Sequence, residues 1–261
     1  MINEKEKLFH DLIDELSDQD RDIILKYING PRGEKVNLLD YGFVRLVDFM
    51  GSDLSVVRSA RVSYDAAWRA GEDKDSDHKL INYLWKNKHT TPFESVTLTF
   101  EVKAPIFVFR QWHRHRTMSY NELSARYREL PEEIYRPDFR AQSKNNKQGS
   151  DGYVDESLLK ELGAGFEASY SQAFHAYRQA LAAGVAREIA RSVLPVATYS
   201  HMFFTVNLLN LLKFLNLRCD AHAQYEIRVY ADAMRDLTKK VYPVCMEAWQ
   251  KQFNLDRGIV A

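Results

Sequence analysis

The chain has 261 residues, 45% of them apolar, and its 36 Lys and Arg residues balance 36 Asp and Glu residues. This length and composition allow one large domain, or two small ones, around a real hydrophobic core. Because the formal net charge is zero, a general nucleic-acid binder is disfavoured, since such a protein binds mainly by neutralising phosphates.

The two cysteines, Cys219 and Cys245, cannot build a disulfide framework, and no CxxC pair indicates a zinc site. The first twenty residues are charged throughout and contain no apolar signal-peptide core. The most apolar stretch, residues 195–215, is interrupted by side chains that a membrane span rarely carries. The sequence therefore predicts a cytoplasmic protein of a reducing compartment with no membrane segment.

Apolar residues recur at helical spacing between residues 4 and 28, which predicts two short helices as an N-terminal extension over residues 1–30. The elements predicted next are, in chain order, a half-buried extended segment over 36–51, a helix over 53–62, a helix over 76–89, a strand with alternating polarity over 95–105 and a helix that begins at Pro105.

The second half of the chain is predicted to be mostly helical. Its elements are a polar mobile loop over 141–152, a long helix over 154–182, a short helix that stops at Pro195, a strand over 197–207, a buried helix over 208–218 and one final helix over 221–253. We therefore expect an α+β fold, in which a mixed or antiparallel sheet packs against long helices in a single catalytic domain over residues 36–255.

The segment RHRTMSYNELSARY, residues 114–127, concentrates hydrogen-bonding groups of both signs. In a regular helix the adjacent side chains of Arg114, His115 and Arg116 would point about 100° apart and could not share one face. The sequence SYNE favours a turn, because Ser and Asn compete for local backbone hydrogen bonds. A helix end that opens into a loop presents guanidinium groups and backbone N–H groups together, which suits a phosphate.

Four interpretations of this segment compete. A solvated charged face does not need five arginines without a lysine between residues 110 and 128, because repeated Arg indicates planar, bidentate recognition. An RNA-binding patch is disfavoured by the neutral total charge. A metal site would use His113 and His115 with His89 or His222, but no further ligand spacing supports it. A site for an anionic small molecule fits best.

Three other short polar segments, which we call polar islands, lie near the predicted ends of helices or strands. Two of them have an ordinary structural explanation, a surface ion pair for the one with Arg187 and a charge at a helix C-terminus for the one with Arg218. The islands are His89, Thr90, Thr91 and Glu94; Arg187, Glu188 and Arg191; and Arg218, Asp220, His222 and Gln224. Four such islands in one chain support a joint site more strongly than any single one does.

The segment 114–127 resembles the signature of the flavin-dependent thymidylate synthases, RHRxxSxNExSxRY, at every fixed position. The blocks HTTPFE, FEVKAPIFVFRQW, AREIARSVLP and FLNLRCDAHAQYEI are also similar to blocks of that family and occur in the family's order. The resemblance covers residues 36–250 and implies a homotetramer with FAD at subunit interfaces. It implies synthesis of dTMP from dUMP with 5,10-methylenetetrahydrofolate, while NADPH reduces the flavin.

The resemblance also implies roles for individual residues. Arg218 corresponds to the arginine that activates the uracil ring, and His89 to a catalytic residue at the folate and flavin face. The implied FAD-binding residues are Thr91, Glu94, Arg114, His115, Arg116, Glu122, Asn207, Lys213 and His222. The implied dUMP-binding residues are Gln111, Arg114, Glu122, Leu123, Ser124, Ala125, Arg126, Arg191 and Arg218.

Two positions depart from the family pattern on the flavin side. Leu209 stands where an arginine is expected and Lys213 where an asparagine is expected, although Lys213 can partly replace the missing charge. Cys219 lies outside the matched positions and is disfavoured as a nucleophile. A non-catalytic nucleotide or RNA-binding relative is the alternative, but such a binder has no use for a charge at the pyrimidine edge.

Overall fold

The computed structural model describes residues 30–258, so the predicted N-terminal helices lie outside the described residues. Within this part, no helix is both long and apolar enough to cross a lipid bilayer. The seven strands of the described residues are β1 (Lys35–Leu38), β2 (Gly42–Met50), β3 (Thr97–Pro105), β4 (Ser119–Glu122), β5 (Arg140–Gln142), β6 (Ser150–Tyr153) and β7 (Tyr199–Asn207).

Eight α-helices connect and cover these strands over the same residues. They are α1 (Asp53–Arg61), α2 (Lys74–Lys86), α3 (Ile106–Trp112), α4 (Glu156–Ala182), α5 (Arg187–Ala190), α6 (Leu208–Arg218), α7 (Tyr225–Val241) and α8 (Pro243–Asp256). Short 3-10 turns at Thr91–Ser95 and Arg191–Val193 lead into β3 and out of α5.

Five strands form one antiparallel sheet in the order β1-β2-β3-β7-β4. The alternation predicted for β3 is confirmed, because Leu98, Phe100 and Val102 are fully buried while their neighbours are half-buried. Apolar side chains on one sheet face are removed from water by helices packed against them, which is the main source of stability in such a layer. The predicted α+β fold is therefore confirmed.

The core between the sheet and helices α6, α7 and α8 is rich in aromatic rings. Trp112 stacks on Phe214 with a centroid separation of 5.1 Å and meets Phe204 at 5.5 Å. Gly42 is required in β2, since a Cβ there would lie 2.0 Å from the Tyr230 hydroxyl oxygen. This packing fixes the end of α3 and the whole of α6, from which the polar motifs extend.

A second, smaller cluster of buried residues lies beneath α4 and α5. It consists of Ile134, Phe174, Tyr177, Ala190 and Ala197. The N-terminal half of α4 leaves apolar side chains such as Leu158 and Phe166 exposed. This part of the chain therefore buries much less apolar surface than the sheet and its helices.

Three sequence-based predictions of local structure are wrong. The final helix is two helices, because Pro243 lacks the N–H that a continuous helix needs and Tyr242 leaves helical geometry (φ −124°, ψ 66°). The predicted loop over 141–152 contains the hairpin of β5 and β6. The predicted turn SYNE is β4, an edge strand paired with β7. The domain limits 36–255 remain a prediction.

Candidate active site

The motif segment begins where α3 ends at Trp112. The Tyr120 hydroxyl donates to the carbonyl oxygens of Trp112 (3.1 Å) and His115 (2.8 Å), which holds the turn between α3 and β4. His115 points inward, whereas Arg114 and Arg116 are exposed. The helix ends before Arg114, so the predicted helix end that opens into a loop is confirmed at this point of the chain.

Arg218, the last residue of α6, is the centre of a hydrogen-bonded group that we call the Arg218 cluster: Gln111, His115 and Arg218. The Arg218 Nε donates to His115 Nε2 at 3.0 Å, and the Arg218 Nη2 donates to the backbone carbonyl oxygen of Gln111 at 3.3 Å. Burial, together with the Arg218 charge, lowers the pKa of His115 to about 4. The imidazole is therefore neutral near pH 7, accepts at Nε2, and leaves the other Arg218 N–H groups for a ligand.

Cys219 follows Arg218 but does not share its surroundings. Burial raises the pKa of the Cys219 thiol, with the Asp232 carboxylate acting in the same direction. A thiol of this kind is a poor source of thiolate, so the structure gives no support to Cys219 as a nucleophile. His222 is exposed, and its Nδ1 lies 2.9 Å from Asp220 Oδ1.

A second set of residues, which we call the Arg126 cluster, comes from two segments joined by a contact of Arg126 with Glu188. Glu122, Ser124 and Arg126 lie in or after β4, and Glu188 and Arg191 lie in or just after α5. The Arg126 Nε lies 3.4 Å from a Glu188 carboxylate oxygen, and both side chains are more than half exposed. The Ser124 Oγ accepts from the Arg126 backbone N–H at 3.3 Å. Ser200 Oγ donates to Glu122 at 2.6 Å, an anchor that the sequence did not reveal.

Strand pairing extends one residue beyond β4 and sets the direction of the segment that follows. The Leu123 backbone N–H donates to the His201 carbonyl oxygen at 2.7 Å, and Ala125 is buried. Arg191 is exposed at the start of the turn after α5, and it has no carboxylate partner among residues 30–258. Arg114 and Arg116 are also exposed and also have no carboxylate partner among the described residues. These three guanidinium groups therefore remain available to an anion.

A third group lies at the other end of α6. Asn207 begins the helix by accepting from the Asn210 N–H at 2.9 Å and pairs with Thr97 across the sheet. The turn Thr91–Ser95, which carries Thr91 and Glu94, packs against α6. Since α6 has 11 residues, Asn207 and Arg218 are separated by about 16 Å.

The remaining predicted residues have distinct settings. His89 is exposed and meets the Tyr83 ring edge-on at 5.8 Å. Leu209 is buried in the main core, and Lys213 is exposed on α6. One chain therefore does not bring all the predicted flavin residues to one place: Thr91, Glu94 and Asn207 lie at one end of α6, and His115 lies at the other.

His113 and His115, the pair proposed in the metal interpretation, both make other contacts. His115 Nε2 accepts from Arg218, and the His113 ring packs against Tyr120 with centroids 4.9 Å apart. Within residues 30–258, no group of three His, Cys, Asp or Glu side chains is arranged to hold a metal ion.

Fold and polar residues together define a class of protein: an α+β protein whose exposed arginines can bind an anion. Residues 45–244 match the family described as thymidylate synthase complementing protein. The flavin-dependent thymidylate synthase of Wolbachia pipientis wMel is 44% identical over 229 residues, which cover 87% of this chain and 80% of that protein. An enzyme of the same name from Thermus thermophilus is 47% identical over 218 residues, covering 83% of this chain and 78% of that protein.

A solved structure agrees with these relatives. The UMP/dUMP methylase PolB from Streptomyces cacaoi, bound with 5-Br dUMP, superposes with a TM-score of 0.74 at 39% identity and covers 83% of this chain and 97% of that one. The chain belongs to the flavin-dependent thymidylate synthase family and is an enzyme of that family. The resemblance drawn from the sequence is confirmed, and the relatives favour an enzyme over a non-catalytic nucleotide or RNA-binding protein.

Proposed function

We propose that this enzyme converts dUMP to dTMP, with 5,10-methylenetetrahydrofolate as carbon donor, FAD as cofactor and NADPH as the reductant of the flavin. The observation that carries the proposal is the Arg218 cluster, in which a half-buried guanidinium is held by a neutral imidazole and a backbone carbonyl. The names of the relatives and the 5-Br dUMP in the Streptomyces structure support a pyrimidine nucleotide as substrate.

Arg218 is the proposed activating residue. Methyl transfer to the uracil C5 needs electron density in the ring, and a positive charge at the N3/O4 edge favours the ionised pyrimidine. Both groups that hold Arg218 are hydrogen-bond acceptors without negative charge, so the guanidinium charge is not neutralised inside the protein. We place His89 at the face where folate meets the flavin.

The nucleotide is bound in this proposal by Gln111, Arg114, Glu122, Leu123, Ser124, Ala125, Arg126 and Arg191, together with Arg218. The phosphate is the part of dUMP that calls for paired guanidinium groups. Arg191 follows Glu188, the carboxylate partner of Arg126, by three residues, at the end of the short helix α5. A phosphate dianion can displace the weak 3.4 Å contact of Arg126 with Glu188.

Arg114 and Arg116 suit the diphosphate of a flavin dinucleotide, because both are exposed and have no carboxylate partner among the described residues. Thr91, Glu94, His115, Glu122, Asn207, Lys213 and His222 complete the proposed FAD set. When bound, FAD supplies the hydride that reduces the transferred one-carbon unit. Leu209 belongs to the core and contributes no charge, whereas the exposed Lys213 on the same helix does.

We further propose a homotetramer with active sites at subunit interfaces. The residues proposed for FAD lie at both ends of α6, about 16 Å apart in one chain, so residues from a neighbouring subunit would complete each site. Tyr127 and Ile189, which follow Arg126 and Glu188 in the sequence, are 81% and 60% exposed, and in this proposal the neighbouring subunit covers them. The cytoplasmic location predicted from the sequence stays a prediction.

The visible spectrum of the purified protein, recorded before and after addition of dUMP, tests the proposal. We expect flavin absorption bands that dUMP perturbs, because both ligands would occupy one site. A colourless protein that takes up no added FAD would contradict the flavin-binding part of the proposal. Flavin bands that dUMP leaves unchanged would contradict the shared site.

A further inference from the structure

Glu226 is a buried carboxylate at the start of α7, 1% exposed. The Tyr135 hydroxyl donates to its Oε1 at 2.9 Å, and Arg140 Nη2 donates to the same oxygen. Gln224 Nε2 donates to its Oε2 at 2.8 Å. Burial favours the protonated form, but these hydrogen bonds, led by that of Arg140, outweigh it and hold the pKa of Glu226 below its ordinary value.

An ionised carboxylate can only accept hydrogen bonds, and this fixes the orientation of the amides beyond it. Gln224 must turn its NH₂ group toward Glu226, so its Oε1 faces Gln111. Gln111 Nε2 donates to that oxygen at 2.5 Å. The Gln111 Oε1 is consequently turned away from Gln224 and is left as an acceptor for a ligand.

Gln111 is also joined to the Arg218 cluster, because its backbone carbonyl accepts from Arg218 Nη2. We propose that Glu226 and Gln224 are positioning residues for the nucleotide: they hold the Gln111 amide with its carbonyl oxygen toward a hydrogen-bond donor of dUMP. This inference rests on the proposed function, in which Gln111 contacts dUMP.

The side-chain hydrogen bonds that link Glu226 to Gln224 and Gln224 to Gln111 form what we call the relay. The hairpin of β5 and β6 anchors the relay at Glu226. Arg140 lies on β5, its guanidinium carbon is 5.1 Å from the Tyr225 ring centroid, and its Nε donates to Ser150 Oγ on β6 at 3.2 Å. The hairpin therefore supplies the charge that keeps Glu226 ionised. Through Glu226 and Gln224, it sets the orientation of Gln111.

Gln224 offers a test that does not endanger the fold. Its side chain is exposed and makes no capping hydrogen bond to α7, although it is the N-cap residue. Gln224→Leu removes both relay hydrogen bonds and leaves the pair of Glu226 and Arg140 in place. Gln252→Leu is the matched control, because Gln252 Nε2 donates to the Asp256 carboxylate at 2.6 Å on the surface of α8.

Isothermal titration with dUMP, without added folate or NADPH, is the measurement. We expect Gln224→Leu to weaken dUMP binding about tenfold, while Gln252→Leu binds like the unmodified protein. The turnover number at saturating dUMP should stay within about twofold, because Arg218 keeps its contacts with His115 and the Gln111 backbone. A general loss of folding would instead lower the active fraction without changing the affinity.

A double variant shows whether Gln224 acts through Gln111. In the Gln111→Leu background, Gln224→Leu should weaken dUMP binding no further, since the relay has nothing left to orient. An equal additional loss, or unchanged affinity in the single variant, would overturn the inference while leaving the proposed function intact. Failure of the unmodified protein to bind dUMP would overturn both.

Discussion

The Arg218 cluster and the Arg126 cluster use the same functional group in opposite ways. Arg218 is half-buried, lies at the end of a helix packed in the main core, and is held by two uncharged acceptors. Arg126 is more than half exposed and has one weak contact with a carboxylate. The comparison indicates that the first arginine is oriented before substrate arrives, whereas the second is held only weakly in the free chain.

Removal of Arg218 should have the largest effect on activity. Arg218→Ala deletes the charge proposed to stabilise the ionised uracil, and we expect dTMP formation to fall about 10³-fold, equivalent to about 4 kcal/mol. Steady-state assays of dTMP formation measure this, and circular dichroism checks that the protein is folded. Lys251→Ala, which removes an exposed ion pair with Glu247, is the control, and near-normal turnover in Arg218→Ala would refute an activating role.

The surroundings of Arg218 were predicted only in part from the sequence. The sequence predicted that a helix ends and opens into a loop at Arg114, His115 and Arg116, because adjacent side chains of a regular helix cannot share one face. It did not predict that His115 accepts from Arg218, since that contact joins residues 103 positions apart. A contact of this kind depends on how α6 packs beside the turn after α3.

The fold shows the same division between local and long-range information. The alternation of β3 and the apolar spacing of α4 are local, and both were predicted from the sequence. The strand β4 carries the polar sequence SYNE and is a strand only because β7 offers it an unpaired edge. The buried Glu226 was missed because its partners, Tyr135 and Arg140, lie 91 and 86 positions away in the chain.

Removal of Arg126 should have a smaller effect, and on binding rather than chemistry. Arg126→Ala deletes one of the guanidinium groups proposed to bind the phosphate, and we expect dUMP binding to weaken by about 2 kcal/mol, or roughly thirtyfold. Titration calorimetry measures the affinity. Arg69→Ala is the matched control, because the Arg69 Nε likewise lies 3.4 Å from a carboxylate oxygen, that of Glu72, on an exposed part of the chain outside the proposed site. Unchanged dUMP affinity in Arg126→Ala would exclude it as a phosphate anchor.

Protonation of His115 should have the smallest effect, and it tests whether the Arg218 cluster is formed in the free protein. Burial and the Arg218 charge lower the pKa of His115 from 6.5 to about 4. The folded state therefore binds this proton less readily than the unfolded state, so the contribution to stability is complete above pH 6.5 and is lost as the pH falls toward 4. Because the half-buried ring is partly screened by solvent, we expect a loss of about 1 kcal/mol.

His115→Gln isolates this contribution, because a glutamine oxygen can still accept from Arg218 but does not titrate. Urea unfolding at pH 6.5 and pH 4.5 should show a larger loss of unfolding free energy in the unmodified protein than in His115→Gln. Equal losses would mean that His115 is as easily protonated in the folded state as in the unfolded state. The contact with Arg218 would then not be present before dUMP binds, and the difference between the two arginine clusters would arise only in the complex.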